Sequence, residues 1–79
     1  MTYFVYILLC QDGSFYTGST NDVEKRFKDH INGKGARYTK SHKPIKVIYK
    51  EDFTSKSEAL KREAEIKSWS RKMKENMIQ

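Results

Sequence analysis

Two apolar stretches separated by an Asp-Gly pair constrain the fold more than any other feature of the chain. The run TYFVYILLC at residues 2–10 contains no charged residue, which predicts a central strand buried on both faces. Asp12 and Gly13 follow, and SFYTGS then resumes a strand-like composition. An Asp-Gly pair between two such runs is a strong hairpin signal. The chain is therefore predicted to begin with an antiparallel β-hairpin.

The length of the hairpin loop decides which side chains share a face of the sheet. A two-residue loop would place Tyr6 and Tyr16 on opposite faces. A three-residue loop over 11–13, with Gly13 left-handed, would put Tyr6 opposite Gly18 and diagonal to Tyr16 on the same face. We favour the three-residue loop.

The residues after the hairpin predict a helix and then a basic loop. Thr20 or Asn21 can cap a helix over residues 22–31. Its buried stripe is predicted to comprise Val23, Phe27 and Ile31, which recur every four residues. Glycines end this helix, and the stretch KGARYTKSHKP is predicted to be a loop.

The second half of the chain predicts one strand and two helices. IKVIYKEDF has strand composition, and a capping box of Ser55 and Glu58 begins a helix that continues to about Trp69. A short helix is predicted over residues 71–77. The order β-β-α-β-α-α predicts an α+β fold, with a small three-stranded, mainly antiparallel sheet flanked by helices. With 79 residues, the chain is expected to be a single domain, residues 1–79.

The charge of the chain favours a polyanionic partner. Sixteen Lys and Arg against ten Asp and Glu give a formal net charge of +6, which is typical of nucleic-acid binding but also of some basic domains without such a partner. Residues 30–50 contain no acidic residue. The basic and aromatic side chains of this stretch predict a surface that follows a phosphate backbone; its candidate contacts are Lys34, Arg37, Tyr38, Lys40 and Lys43.

The sequence also indicates the compartment. Cys10 is the only cysteine, so an internal disulfide is excluded, and its place in an apolar run predicts a small core residue. The chain has no signal-peptide pattern and no run of about 20 apolar residues. We expect a cytoplasmic protein with no membrane partner.

Glu63 is the most anomalous residue for its position. It lies four residues after Ala59 and three before Ile66, in the middle of an apolar helix face. Burying a carboxylate there costs several kcal/mol unless it is paired or binds a metal. Glu63 is therefore either a metal ligand or one half of an ion pair, for example with Lys67 one turn along.

Other candidates for chemistry carry two interpretations each. Arg26 and His30 lie one turn apart at the margin of the first helix's apolar stripe, where they either contact phosphate and orient a hydroxyl or are ordinary surface residues. Tyr6 and Tyr16 either pack in the sheet or act on water, which requires a cationic neighbour to lower the pKa. Gly18 either admits a ligand backbone or makes a twist.

Together these residues resemble the GIY-YIG nuclease domain, from about Tyr3 to Asn76. FVY at residues 4–6 and YTG at residues 16–18 match the two motifs, the helix with Arg26 and His30 follows, and a later helix supplies Glu63. The compact form is similar to the small stand-alone members of the family. The chain departs from the motifs where Phe4-Val5 replaces Gly-Ile and Thr17 replaces Ile.

The resemblance implies a divalent-metal-dependent endonuclease that hydrolyses phosphodiester bonds, in DNA more than in RNA. It implies that Glu63 binds one Mg²⁺ or Mn²⁺ ion and that Arg26 holds the scissile phosphate. Tyr6 or Tyr16 would position or deprotonate water, assisted by His30. Many members have an asparagine in the last helix, for which Asn76 is the candidate here.

The resemblance leaves the target and the turnover open. No DNA-reading domain accompanies the motifs, so we expect the protein either to cut by substrate structure, as in repair or recombination, or to be brought to its site by a protein partner. The alternative is a nucleic-acid-binding module with the nuclease fold and little turnover. A protein-interaction domain with an incidental basic surface is a third interpretation, and it predicts little reduction of nucleic-acid binding when Lys40 and Lys43 become Glu.

Overall fold

The computed structural model describes residues 1–78, which form three strands and four helices in one α+β arrangement. The predicted domain runs to residue 79, and Gln79 lies outside the described residues. The predicted order of elements is confirmed, and the predicted basic loop contains one additional short helix, α2. The elements are β1 Tyr3–Cys10, β2 Phe15–Thr20, α1 Val23–Ile31, α2 Arg37–Ser41, β3 Pro44–Phe53, α3 Lys56–Lys67 and α4 Arg71–Ile78.

The sheet has the order β2-β1-β3, and both strand pairs are antiparallel. The central strand β1 is buried, as its uncharged sequence predicted. The three-residue hairpin loop is confirmed, since Tyr6 pairs with Gly18. The amide of Cys10 donates to the carbonyl of Ser14 at 2.9 Å, and Gly13 takes a positive φ of 84°, a conformation that costs glycine little.

The two faces of the sheet are covered by different helices. Val5 and Ile7 of β1 pack with Ala59 and Ile66 of α3 and are fully buried. Successive strand residues point to opposite faces, so Tyr6 points to the face of the sheet away from α3. On that face it contacts His30 of α1. The β1 strand therefore contributes at once to the apolar core and to the opposite face, where polar groups meet.

Arg62 fixes the rotation of α3 against the sheet. Its Nε donates to Glu51 of β3 at 2.9 Å, and its guanidinium lies 5.1 Å above the ring of Trp69. Because Glu63 is the next residue of the helix, this anchor at β3 leaves Glu63 directed toward the opposite edge of the sheet, which β2 forms.

Details of the helices differ from the sequence predictions. The cap of α1 is Asp22, whose side chain accepts from the amide of Lys25 at 3.1 Å, and the predicted cap Thr20 accepts from the Asp22 amide. Ile31 was predicted to be buried but is 44% exposed, because His30 takes the inward position. The predicted capping box of α3 is present, since Ser55 accepts from the amide of Glu58 at 3.2 Å.

Residues that had been counted in the apolar face of α3 lie partly in solvent. Leu60 is 47% exposed and Ala64 is exposed, because Ala59 and Ile66 alone face the sheet core. Within residues 1–78, no helix has the length and apolar character that a membrane crossing requires.

Candidate active site

A buried hydrogen bond joins the first predicted tyrosine to the predicted histidine. The hydroxyl of Tyr6 and Nε2 of His30 are 2.8 Å apart. Each side chain is 1% exposed. One of the two interpretations of the sequence had placed His30 on the surface. A buried polar group needs a partner to offset its desolvation. Tyr6 and His30 supply that partner to each other.

Gly18 makes room for this pair. A Cβ atom at Gly18 would lie 2.6 Å from the Tyr6 hydroxyl oxygen and 3.1 Å from the Tyr16 ring. The Tyr6 hydroxyl therefore lies directly over the backbone of the edge strand. One interpretation of the sequence was that Gly18 admits the backbone of a ligand, whereas in the structure the two tyrosines occupy that space.

The environment keeps this pair neutral. Burial raises the pKa of the Tyr6 hydroxyl above its usual value, nearby Tyr16 adds to the rise, and the Arg26 guanidinium opposes it. Burial lowers the pKa of the His30 imidazole below its usual value, and the positive charge of Arg26 lowers it further. Tyr6 is therefore a phenol and His30 a neutral imidazole at neutral pH. A neutral imidazole has one nitrogen able to accept a proton.

The second predicted tyrosine lies between the buried pair and the protein surface. The ring centroid of Tyr16 is 5.1 Å from that of His30 and 6.4 Å from that of Tyr6. Its other neighbour is Tyr38, stacked at 5.9 Å, and Tyr38 stacks in turn on His42 at 4.0 Å. The aromatic rings thus form a continuous row from the buried pair to the half-exposed ring of Tyr38.

Glu63 lies against the edge strand β2, where its carboxylate is mostly buried. Its side chain is 17% exposed and its Oε2 is 2.7 Å from Nζ of Lys67. Its Oε1 accepts from the hydroxyl of Ser19 at 2.5 Å. The same Lys67 ammonium lies 5.9 Å above the Tyr16 ring. The ion pair considered from sequence is present, and Lys67 connects Glu63 to the tyrosines.

The donor set at Glu63 fits a Mg²⁺ or Mn²⁺ ion with few protein ligands. Within residues 1–78, no three His, Cys, Asp or Glu side chains cluster closely enough to form a metal site alone. Mg²⁺ commonly binds one or two carboxylates and completes its shell with water and substrate phosphates. Glu63 offers one carboxylate, already oriented by Ser19. A metal ion would compete with Lys67 for Oε2 of Glu63.

The basic loop is hydrogen-bonded to α1 at one end and to the β1–β2 hairpin loop at the other. The amide of Lys34 donates to the carbonyl of Asp29 in α1, and the amide of Gln11 donates to the carbonyl of Lys43, each at 2.8 Å. The side chains predicted to contact phosphate lie along this segment and are exposed or half-exposed: Lys34, Arg37, Tyr38, Lys40 and Lys43. Arg26, the predicted phosphate ligand, is half-buried and 4.0 Å from Asp29. Asn76 lies exposed on α4.

Two tyrosines on adjacent strands, followed along the chain by a histidine on α1 and an acidic residue on α3, point to one family. A sequence model described as the GIY-YIG catalytic domain matches residues 2–76. The chain belongs to the GIY-YIG family. This family is one of endonucleases that act on DNA and in general use a divalent metal.

Relatives of this GIY-YIG chain are similarly small. A UPF0213 protein of Staphylococcus epidermidis is 56% identical over 77 residues, which cover 98% of this chain and 94% of the relative. The solution NMR structure of a UPF0213 protein from Bacillus halodurans matches 99% of this chain and 83% of that chain, with a TM-score of 0.63 and 47% identity. The solution NMR structure of a protein from E. faecalis also matches 99% of this chain and 83% of that chain, with a TM-score of 0.66 and 44% identity. These names state no activity, substrate or partner.

Three residues of this GIY-YIG site were missed from the sequence. Thr39 contacts His30, Ser19 orients Glu63, and Gly35 lies against the His30 ring. Gly35 was interpreted only as a helix terminator. Ser19 directly follows the YTG motif, which was a usable signal, since a strand residue there must face α3. Nothing in the local sequence distinguishes Thr39 from any other loop threonine.

Replacing Lys67 by Met is expected to tighten the binding of a divalent cation at Glu63. The change removes a competing ammonium 2.7 Å from Oε2. Because the Lys67 side chain is 49% exposed, the pair contributes no more than about 1 kcal/mol, so the dissociation constant for Mn²⁺ should fall about three- to fivefold. Isothermal titration calorimetry with Mn²⁺ measures this change directly. Lys61→Met, on the exposed side of the same helix, is the matched control; equal affinities in both variants would show that Lys67 does not compete.

Proposed function

We propose that this chain is a divalent-metal-dependent endonuclease that hydrolyses phosphodiester bonds in DNA. The observation that carries the proposal is the buried hydrogen bond between Tyr6 and His30, 2.8 Å long. It places a proton acceptor against the Tyr6 hydroxyl, which lies over Gly18 of β2, and Ser19 of the same strand contacts Glu63. A chain that only bound nucleic acid would have no need for this carboxylate near the phosphate backbone.

The residues divide the work of hydrolysis among themselves. Arg26 holds the scissile phosphate with its planar guanidinium, which suits phosphate oxygens. One of the two tyrosines positions the attacking water and takes its proton. Tyr6 can pass a proton on to His30, because the two are hydrogen-bonded, whereas Tyr16 lies nearer the surface and beside Lys67. Glu63, oriented by Ser19, holds the metal ion.

A metal ion bound at Glu63 would add positive charge next to the scissile phosphate. A divalent cation held by Glu63 would supply electrostatic stabilisation to the departing 3′ oxygen. Before it binds, Lys67 neutralises the carboxylate, so the folded chain does not carry an unpaired, largely buried anion. The Lys67 ammonium also lies 5.9 Å above the Tyr16 ring, so it would remain beside the tyrosines if a cation took its place at Glu63.

The second candidate is a nucleic-acid-binding module with the same fold and little turnover. The observation that favours it is the 2.7 Å ion pair between Glu63 and Lys67, which leaves the carboxylate satisfied without any metal. Under this alternative Glu63 stabilises the fold and the basic loop binds DNA or RNA.

Cleavage of a panel of labelled substrates tests the two candidates. The panel comprises flap, nicked, single-stranded and plain duplex DNA, each with Mg²⁺, with Mn²⁺ and with chelator. Cleavage of one or more forms that requires the metal supports the endonuclease, and its preference among them tests a role on repair or recombination substrates. Salt-sensitive binding without cleavage of any form would favour the binding module. Cleavage that appears on addition of a cell extract with the parent but not with Glu63→Gln would indicate a targeting partner.

Reversing two charges of the basic loop is expected to weaken DNA binding at least tenfold. Lys40 and Lys43 are exposed and, as Glu, would repel the phosphates they now attract. The slope of log K against log salt should become shallower by about 0.7–0.9 for each phosphate that the variant no longer neutralises. Fluorescence anisotropy with a labelled oligonucleotide in chelator measures both quantities.

The control for this experiment changes the net charge equally but outside the basic loop. Lys61 and Lys72 are exposed on α3 and α4, outside the basic loop, and their double replacement by Glu changes the net charge by the same amount. Equal weakening in the two double variants would mean that only overall charge matters. Unchanged binding in both would favour a protein-interaction domain with an incidental basic surface.

A further inference from the structure

A chain of hydrogen bonds leads from the candidate active site into the basic loop. Nδ1 of His30 is 2.7 Å from Oγ1 of Thr39. The Thr39 hydroxyl in turn donates to the carbonyl of Ala36 at 2.9 Å. Thr39 is 2% exposed and His30 is 1% exposed, so water does not substitute for these contacts. The other ring nitrogen of His30 faces Tyr6.

The direction of each bond follows from counting protons. A threonine hydroxyl has one hydrogen to donate, and the carbonyl of Ala36 can only accept it. With its hydrogen donated to the Ala36 carbonyl, the Thr39 oxygen is an acceptor toward Nδ1 of His30. A neutral imidazole that carries its proton on Nδ1 has a lone pair on Nε2. The Tyr6 hydroxyl therefore donates to His30, and its own lone pairs are directed elsewhere.

We propose that Thr39 is a positioning residue that fixes His30 in the Nδ1-protonated form, so that the Nε2 lone pair faces the Tyr6 hydroxyl. Neither the family nor the relatives' names assign a role to this threonine. The lowered pKa of the buried His30 agrees with a neutral ring. With the other tautomer, an Nε2–H group would donate to Tyr6 and could take no proton from it.

The consequence for catalysis rests on the proposed function. As the attacking water loses a proton to the Tyr6 oxygen, the original Tyr6 proton passes to Nε2 of His30. One water O–H bond and one tyrosine O–H bond break, while one tyrosine O–H bond and one N–H bond form. The water becomes a hydroxide-like nucleophile and His30 becomes imidazolium, with its second N–H still bound by Thr39. Thr39 touches neither substrate nor water in this sequence.

Nitrogen-15 NMR of the histidine rings tests the tautomer without any substrate. Long-range proton–nitrogen correlation spectra distinguish a protonated ring nitrogen from an unprotonated one, and a chain of 79 residues with two histidines gives a simple spectrum. At pH 8 the parent should show His30 protonated on Nδ1 and not on Nε2. His42, which lies outside the hydrogen-bond chain of His30, is the internal reference, and its pattern should stay constant in every variant.

Substitutions at Thr39 test its role. Thr39→Val keeps the shape but removes the acceptor, and it should convert a large part of His30 to the Nε2-protonated form and lower cleavage about tenfold. Thr39→Ser retains the hydroxyl and should preserve both the parental tautomer and the parental cleavage. Thr39→Ala replaces Thr39→Val if the latter does not fold.

Two results would overturn the proposal. One is Nε2 protonation of His30 in the parent, and the other is an unchanged tautomer once the Thr39 hydroxyl is removed. The ring spectra need no turnover, so a parent that proves unable to cleave DNA would refute the proposed function while leaving this test of Thr39 intact.

Discussion

Glu63→Gln is expected to reduce metal-dependent cleavage by about a thousandfold or more while leaving the fold intact. Loss of a bound cation removes several kcal/mol of transition-state stabilisation, and about 4 kcal/mol corresponds to a thousandfold in rate. The amide oxygen of Gln can still accept from Ser19, which now donates to Oε1 at 2.5 Å. Only the half-exposed ion pair with Lys67 is removed, so the free energy of unfolding should fall by less than about 1 kcal/mol. DNA binding should be equal or tighter, because a negative charge beside the phosphate is removed.

Thermal melting with and without Mn²⁺ separates the metal role of Glu63 from a structural one. The parent should melt at a higher temperature with Mn²⁺, since a ligand that binds only the folded state stabilises it, and Glu63→Gln should lose this increase. Glu75→Gln is the matched control, because Glu75 also pairs with a basic residue one turn away, Arg71, at 3.4 Å. A large drop in melting temperature for Glu63→Gln alone, with no metal effect in the parent, would assign Glu63 to the fold.

Gly35→Ala is expected to destabilise the protein by about 2–3 kcal/mol and to displace His30. An added Cβ would lie 2.7 Å from Cγ and 2.8 Å from Cε1 of the His30 ring, and closer still to Nδ1. The ring has nowhere to retreat, because Tyr6 and Thr39 hold it on both sides. For a domain of this size the melting temperature should fall by roughly 10–20 °C. Cleavage should be abolished in the fraction that still folds.

Gly33→Ala and the double mutant His30→Ala/Gly35→Ala test whether the clash with His30 causes the destabilisation. Gly33 has a φ of 77° but no atom within 4 Å of an added Cβ, so its replacement should cost about 1–2 kcal/mol of backbone strain and leave the His30 ring spectrum unchanged. In a His30→Ala background the clash partner is gone, and Gly35→Ala should then cost at least about 1 kcal/mol less. Urea unfolding of these variants and the parent gives these values. An equal cost in both backgrounds would show that contact with His30 is not the reason for glycine at this position.

Local patterns predicted most of the fold because each rests on interactions between near neighbours. The Asp12-Gly13 turn set the hairpin, and the requirement for a left-handed residue selected the register that the structure has. The capping box at Ser55 was found because a cap needs only residues three apart. The cap of α1 was placed one or two residues early, since Thr20, Asn21 and Asp22 all have suitable side chains. Only the tertiary course of the chain chooses among them.

The sequence predicted which residues form the candidate site but not which of them contact one another. Glu63 drew notice because a carboxylate in an apolar stripe is costly, and the structure provides that carboxylate with Ser19 and Lys67. The burial of His30 could not be inferred from spacing, because it depends on Thr39 arriving from α2. Such contacts join residues whose separation along the chain follows no period. Helical and strand patterns carry no information about them.

The location of Tyr6 on the central strand links the proposed hydrolysis to the thermal stability of the fold. Val5 and Ile7, its neighbours along β1, are fully buried, and β1 pairs with a strand on each side. Displacing Tyr6 requires these strands to separate. In so small a domain, separation of the central strand amounts to global unfolding. The proposed catalytic group is thus part of the cooperative folding unit. Selection for a more heat-resistant protein and selection for a well-ordered site would act on the same side chains, rather than in opposition.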